Sequence, residues 1–454
     1  MQIAPFKLEQ YFAKHEFTAK YMLSSSDCDG FPMEYVLKQA TPQEMELWNT
    51  LTLGYTEGLG SMFLREAICK YYKKAKPENV MVASPGELSF ILMNVLMHRE
   101  VPGTAQQPAS AGQTSADPAS TEPASADPAS PEPASAGQAS RPHAVVISPA
   151  YQSLYQVLQS LDCEVSYWRP KQAAGTAAGA ASAVGSSDAA GASASASAVA
   201  SAVAEESAAG WNYDVEDLCK LVRKDTRLII INFPHNPTGA YITPAQLEQI
   251  VEIARSCGAY IYSDEMYREL IVGDGVETLP SVSDIYEKGV SLWGTAKSFG
   301  LAGLRTGWFV SQDRELLSKI HAFKDYLSIC SSAPSEVLTT IALNHPEKFI
   351  APNIAKIKAN IAFFKEAVAA GKLPFVKNFV EPVAGSIAFV EIDPTKAEYL
   401  LGWQPQTALE FSDAIVEKYG IMTVPAPMFE YPGNYLRIGF GRENFQQVLQ
   451  MLMK

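Results

Sequence analysis

Short apolar runs that alternate with helix-period segments run through most of this chain, and no other feature narrows its possible folds as much. The runs at 144–148, 164–168, 227–233, 259–262, 290–293 and 307–310 have the length and β-branched or aromatic content of buried strands. Helix-period segments at 152–161, 215–223 and 244–257 lie between them. Thr243 followed by Pro244 puts a capping hydroxyl and a first-turn proline at the start of the last one. Strand, helix, strand in repetition predicts an α/β fold with a mostly parallel sheet between helices. From about residue 334 the pattern changes. Longer helical stretches at 335–343 and 353–370 precede short strands at 386–392 and 435–440, which predicts a smaller α+β unit.

Two stretches carry no such pattern. Residues 104–140 repeat Pro-Ala-Ser at Pro108, Pro118, Pro123, Pro128 and Pro133, and residues 172–210 are largely Ala, Ser and Gly. Neither has the bulky side chains that offset the entropy of ordering, so both are expected to be disordered surface insertions between elements. Acidic residues outnumber basic ones, 49 to 36, for a net charge of −13, which argues against a general nucleic-acid binder. No apolar stretch is long enough to span a membrane. Lys7, Glu9, Lys14, His15 and Glu16 break up the apolar centre that a signal peptide needs, so the expected location is the cytoplasm. Cys28, Cys69, Cys163, Cys219, Cys257 and Cys330 form no C-x-x-C pair, so neither a metal site nor a disulfide framework is expected.

The residues able to do chemistry follow the strands. The run 228–232 leads into Phe233-Pro234-His235-Asn236-Pro237-Thr238-Gly239, a proline- and glycine-set turn where a ligand would sit at the carboxyl end of a strand. The run 259–262 leads into Ser263-Asp264-Glu265-Met266-Tyr267. An acid there could hold Mg²⁺ in a nucleotide hydrolase, but the chain has no G-x-x-x-x-G-K-[ST] loop to partner it, and no G-x-G-x-x-G follows the first strands. After 290–293 comes the glycine-rich stretch Gly294-Thr295-Ala296-Lys297-Ser298-Phe299-Gly300-Leu301-Ala302-Gly303-Leu304-Arg305-Thr306-Gly307, with a single lysine. A lysine at such a turn is costly to desolvate unless it is used.

In order and spacing, this set resembles the fold type I, pyridoxal-phosphate-dependent aminotransferases of class I/II, from Tyr55 to Arg437 and outside the two insertions. The resemblance implies a large pyridoxal-phosphate-binding domain at 46–330, built on a mostly parallel seven-stranded sheet. It implies a small C-terminal domain at 331–454, to which 1–45 adds an N-terminal segment. It implies that Lys297 forms the Schiff base with pyridoxal 5′-phosphate and, once released, moves the substrate Cα proton. Asp264 then pairs with the pyridine nitrogen and keeps it protonated, and Asn236 and Tyr267 donate to the ring 3′-oxygen. Arg305 clamps the phosphate with its planar fork. The amides of Gly86, Glu87 and Leu88, at a helix start, and Thr295 add to that clamp. Tyr151 stacks on the cofactor ring. Tyr55 reaches the phosphate of a neighbouring subunit, so the resemblance implies a homodimer with shared sites. Arg437 binds the substrate α-carboxylate, and Asn236 is a second substrate-binding residue. The implied substrates are an amino acid and a 2-oxo acid.

There are departures from the family pattern. Ala296 and Gly294 stand where many members carry Ser or Thr, and 23–30 lacks the glycine-led loop over the substrate. With Leu53-Gly54-Tyr55-Thr56, this N-terminal stretch looks more like a branch that includes capreomycidine synthase. A lyase or amino-acid cyclase on the same cofactor is therefore the alternative to transamination, since all three begin with loss of the Cα proton. A non-enzymatic regulator would need a DNA-binding module ahead of residue 20, and none is expected there.

Overall fold

The computed structural model describes residues 2–98, 141–172 and 210–454. In chain order its strands are β1 (Tyr21–Met22), β2 (Val80–Ala83), β3 (His143–Ile147), β4 (Glu164–Trp168), β5 (Lys171–Gln172), β6 (Trp211–Asn212), β7 (Thr226–Asn232), β8 (Tyr260–Asp264), β9 (Gly289–Gly294), β10 (Gly307–Ser311), β11 (Val376–Asn378), β12 (Ile387–Ile392), β13 (Ile421–Met422), β14 (Val424–Pro425) and β15 (Tyr435–Gly439). A seven-stranded sheet runs in the order β2-β10-β9-β8-β7-β3-β4. It is parallel from β9 to β4, while β10 runs against both of its neighbours. All six expected strands are in this sheet. The seventh, β2, is the Val-Met-Val-Ala run ahead of the Ser84-Pro85-Gly86 turn, which the sequence reading left unassigned.

The unbroken apolar run of β7 reflects cover on both faces of the sheet. Its Leu228 and Ile230 join one buried cluster with Val82, Trp293 and Phe309, while Ile229 and Ile231 join a second with Ile261 and Leu247. Helix Pro244–Cys257 supplies part of the second layer. The Thr243 hydroxyl and the Gln246 side chain cap each other's backbone amides, Gly258 ends the helix at φ 74°, and Leu247, Ile250, Val251 and Ala254 line its buried face.

A second sheet, β11-β12-β15-β14, is antiparallel throughout. Helix Pro346–Ala369 precedes it and buries Phe349, Ile357, Ile361 and Phe364. This helix starts well before the expected residue 353 and carries Pro352 in its interior. The N-terminus joins this half of the molecule through β1, which pairs in parallel with β13.

The expected disorder of 104–140, and of 172–210 apart from its ends, falls outside the described residues. The ends themselves are ordered: Gln172 pairs with Trp211 and Lys171 with Asn212 in the antiparallel β5–β6 ladder. The second insertion therefore leaves and re-enters the fold at adjacent points. Trp211 is buried against Phe389, Tyr431 and Tyr435.

Candidate active site

Strands β2, β3, β7, β8 and β9 all point their carboxyl ends toward one edge of the large sheet, and β10 begins there. From β3 the chain goes outward to β4, then returns past β3 to β7, so the connections diverge between β3 and β7. Such a divergence opens a crevice outside the strand ends. A cavity of about 590 Å³ lies at that edge, with Asn236, Asp264, Tyr267, Lys297, Arg305 and Arg437 in its wall. Gly86 and Tyr151 are also in the wall.

Asp264 ends β8 beside Asn232, the last residue of β7. Its Oδ1 accepts the Met266 amide at 3.1 Å. Desolvation is the largest influence on its carboxyl and pushes it up to about 6, against the partial relief given by that amide and by Lys297. Asn232 was missed by the sequence reading. Its Nδ2 donates to the Asp264 carbonyl at 2.8 Å and its Oδ1 accepts the Asn236 amide at 2.9 Å, which fixes the two turns relative to each other.

Lys297 follows β9, and its Nζ donates to Ser26 Oγ at 2.9 Å. Desolvation holds its ammonium below the ordinary lysine value. Asp27 and Asp264 oppose that shift, and Arg437 and Arg305 reinforce it. Desolvation likewise keeps the Tyr267 phenol protonated well above its usual range.

Arg437 sits in the middle of β15, opposite Phe389 and Val424, and is 2% exposed. Its Nε donates to the Ser24 carbonyl at 3.1 Å and its Nη1 to Asn236 Oδ1 at 3.3 Å. The Phe429 and Phe12 rings flank the guanidinium at 5.4 and 5.8 Å. Segment 24–27 thus serves both cations. It comes that close because Gly439 has no side chain: a Cβ there would meet the Ser25 carbonyl oxygen at 1.8 Å. In sequence this segment is a departure from the family pattern, and its role emerges only from these contacts.

Two of the proposed phosphate contacts, Thr295 and Leu88, have their donors engaged elsewhere. Thr295 is fully buried, and its hydroxyl donates to the Leu301 and Thr306 carbonyls, each at 3.3 Å, which closes the turn behind Lys297. Leu88 packs in the core and its amide donates to the Ser84 carbonyl at 3.1 Å. The Glu87 carboxylate accepts the Ser328 amide at 3.3 Å, outside the cavity wall. Helix geometry leaves the Gly86 and Glu87 amides, next after Pro85, without intrahelical partners. Gly307 permits this approach, since a Cβ on it would meet Pro85 Cγ at 2.6 Å.

Arg305, at φ 53°, is exposed at the cavity edge, with its Nη1 donating to the Ala302 carbonyl at 3.3 Å. The Tyr151 ring meets Phe6 at 4.9 Å, and its hydroxyl donates to Glu9 Oε1 at 2.6 Å. Tyr55 is 90% exposed and belongs to a different concavity with Leu51, Thr52 and Phe63, so it takes no part in the cavity of its own chain.

This set of donors fits pyridoxal 5′-phosphate. A desolvated lysine lies within the field of a strand-end acid that has one amide for a partner and calls for a cationic one. A helix start with free amides and an arginine share the same wall. Lys297, Asp264, Asn236, Tyr267, Arg305 and the Gly86 turn would hold the cofactor. When bound, it would supply an electron sink for a negative charge at the substrate Cα.

Solved structures with the same fold include a PLP-dependent aminotransferase from Streptococcus suis 89-1591 (23% identity, TM-score 0.73, covering 100% of this chain and 96% of that one). Another is the PLP-dependent cyclase OrfR (21% identity, TM-score 0.73, covering 99% and 96%). Both likenesses assign the fold type I architecture to this chain. Among curated proteins, a probable N-succinyldiaminopimelate aminotransferase of Mycobacterium tuberculosis is 31% identical over 222 residues, 48% of this chain and 52% of that protein. Capreomycidine synthase of Streptomyces vinaceus is 25% identical over 231 residues, 51% of this chain and 55% of that protein. The chain thus spans about half the length of the curated relatives it matches. The aminotransferase class I and II family matches residues 189–452, a span that takes in Asp264, Lys297 and Arg437. With more than half of its length inside that match, the chain belongs to the aminotransferase class I and II family.

Proposed function

We propose that the protein is a pyridoxal-phosphate-dependent aminotransferase, moving an amino group between an amino acid and a 2-oxo acid. The observation that carries this reading is that Lys297 and Arg437 face one cavity from the two different sheets, with Asp264 in the same wall. Arg437 would take both oxygens of the α-carboxylate and so fix the direction of the Cα–H bond. The Lys297 amine, whose ammonium form desolvation disfavours, would take the Cα proton and return it to a neighbouring atom, with Ser26 holding Nζ until substrate arrives. A substrate that bridges the two sheets would also exclude water from the cavity.

A homodimer with shared sites and a cytoplasmic location belong to the same proposal. The exposure of Tyr55, 90%, and its absence from the cavity of its own chain support the first, since they leave its ring free to reach a neighbouring subunit. The test is to mix the cofactor-loaded protein with single amino acids and follow loss of its visible absorption, then add a 2-oxo acid. Return of the absorption together with a new amino acid supports transamination. Ammonia or a cyclic product, with no need for the 2-oxo acid, supports the lyase or cyclase reading that the match to capreomycidine synthase favours.

A further inference from the structure

The cations in the cavity wall are Lys297, Arg305 and Arg437, and the proposed function uses all three. The wall also holds carboxylates that this function does not use: Glu9, Glu16 and Asp27. Two of them lie on or just past the helix Lys7–His15, where Leu8, Glu9, Phe12 and Glu16 fall at spacings that share one helix face. That face is laid over the cavity by contacts at both ends. Near its start, the Lys7 amide donates to Gln152 Oε1 at 2.8 Å and Lys7 Nζ pairs with Glu430 at 2.7 Å. Near its end, His15 lies 3.8 Å from Asp413. Phe12 also contacts the Arg437 guanidinium, so this face begins where the substrate α-carboxylate would be held.

The carboxylates differ in how they are satisfied. Asp27 pairs with Arg442 at 3.1 Å, and Glu9 accepts the Tyr151 hydroxyl. The Glu16 carboxylate has neither a hydrogen bond nor an ion pair among the described residues. It is exposed at the cavity rim, and partial desolvation raises it above its ordinary value, with Asp27 and Glu9 adding to the shift and Arg442 and Lys297 offsetting part of it.

We propose that Glu16, with Glu9, selects amino acids whose side chain ends in a cation, an ammonium or a guanidinium, with the aliphatic stem lying along Phe12 and Leu8. This rests on the aminotransferase reading above. It also sets the protein apart from its relatives named aspartate aminotransferases. A second substrate carboxylate would find no unassigned cation in this wall and would face two acids instead.

The test uses the cofactor-loaded protein and two matched pairs of probes. L-lysine and L-norleucine are compared by kcat/KM for the first half-reaction. α-Methyl-lysine and α-methylnorleucine, which lack the Cα proton, are compared by Kd in calorimetry. The expected result is a preference for the cationic member of about tenfold or more in both assays, with L-aspartate below L-norleucine. Glu16→Gln should reduce the preference about tenfold, and raising the salt from 0.02 to 0.5 M should weaken it in the wild type. A preference for aspartate, or a lysine-to-norleucine ratio that Glu16→Gln leaves unchanged in both assays, overturns the proposal while transamination stands. If no amino acid changes the cofactor spectrum, the functional reading fails and this proposal falls with it.

Discussion

Arg437 reaches from the small sheet to the large one and donates through Nη1 to Asn236 Oδ1 at 3.3 Å, and both residues are buried. With its oxygen engaged there, the Asn236 amide group is left with its N–H donors for a ligand. The same guanidinium is held from behind by the Ser24 carbonyl through Nε. A carboxylate bound by Arg437 is thereby positioned by a direct contact with the turn after β7, the strand next to the one that ends in Asp264.

Arg437→Lys is expected to keep the visible absorption of bound cofactor while kcat/KM falls about 10- to 100-fold for every amino acid tested. The ammonium keeps the charge but cannot hold Asn236, Ser24 and both carboxylate oxygens at once. The loss corresponds to about 1.5–3 kcal/mol, the range for a charge-assisted hydrogen bond. A change confined to the preference among side chains, or a loss of cofactor affinity, would show that Arg437 does not hold the α-carboxylate.

Lys297→Ala should abolish the yellow colour of the purified protein. In the wild type, borohydride treatment followed by peptide mass spectrometry should find the cofactor mass on the peptide that contains Lys297. Attachment at any other lysine would refute the assignment.

Asp264 makes the stability of the cofactor-free protein depend on pH. Its carboxyl lies at about 6, above the ordinary 3.8, so the folded chain holds this proton more tightly than the unfolded chain. The stabilising contribution is complete below 3.8 and is lost as the pH rises through about 6. Thermal midpoints of the cofactor-free wild type should therefore drop relative to those of Asp264→Asn between about pH 4 and 6. Parallel curves for the two proteins across that range would contradict the raised carboxyl.

Replacing 104–140 and 173–209 with short Gly/Ser linkers should cost less than about 1 kcal/mol and leave cofactor binding intact, because the only large apolar side chains in these tracts are three valines, Val184, Val199 and Val203. Trp211→Ala, just past the second tract, should cost about 3–5 kcal/mol, because that ring is buried among Phe389, Tyr431 and Tyr435. Chemical denaturation of the three proteins checks both expectations. A large loss on linker replacement would show that the tracts pack on the body or on a partner.

Features that depend on neighbours in the chain were legible in the residues alone. Helix 244–257 was legible from its Thr243-Pro244 start and the apolar spacing of Leu247, Ile250, Val251 and Ala254, because capping and amphipathic period are properties of a few consecutive residues. The β7 and β8 runs, the turn after β7 that carries Asn236, and Asp264 at the end of β8 were legible for the same reason. Local order says nothing, however, about which distant strand pairs with which. β2 joins the sheet beside β10, and β10 reverses direction, through pairings such as Ala83 with Gly307. Nor does it say where a side chain points after a turn. Thr295 and Lys297 are two residues apart, yet Thr295 closes the turn and Lys297 enters the cavity. The Ser26 contact to Lys297, the Ser24 contact to Arg437 and the place of Glu16 in the wall each join residues hundreds of positions apart. They depend on how closely backbones can approach, as at Gly439, and that distance exists only once both sheets have formed and packed.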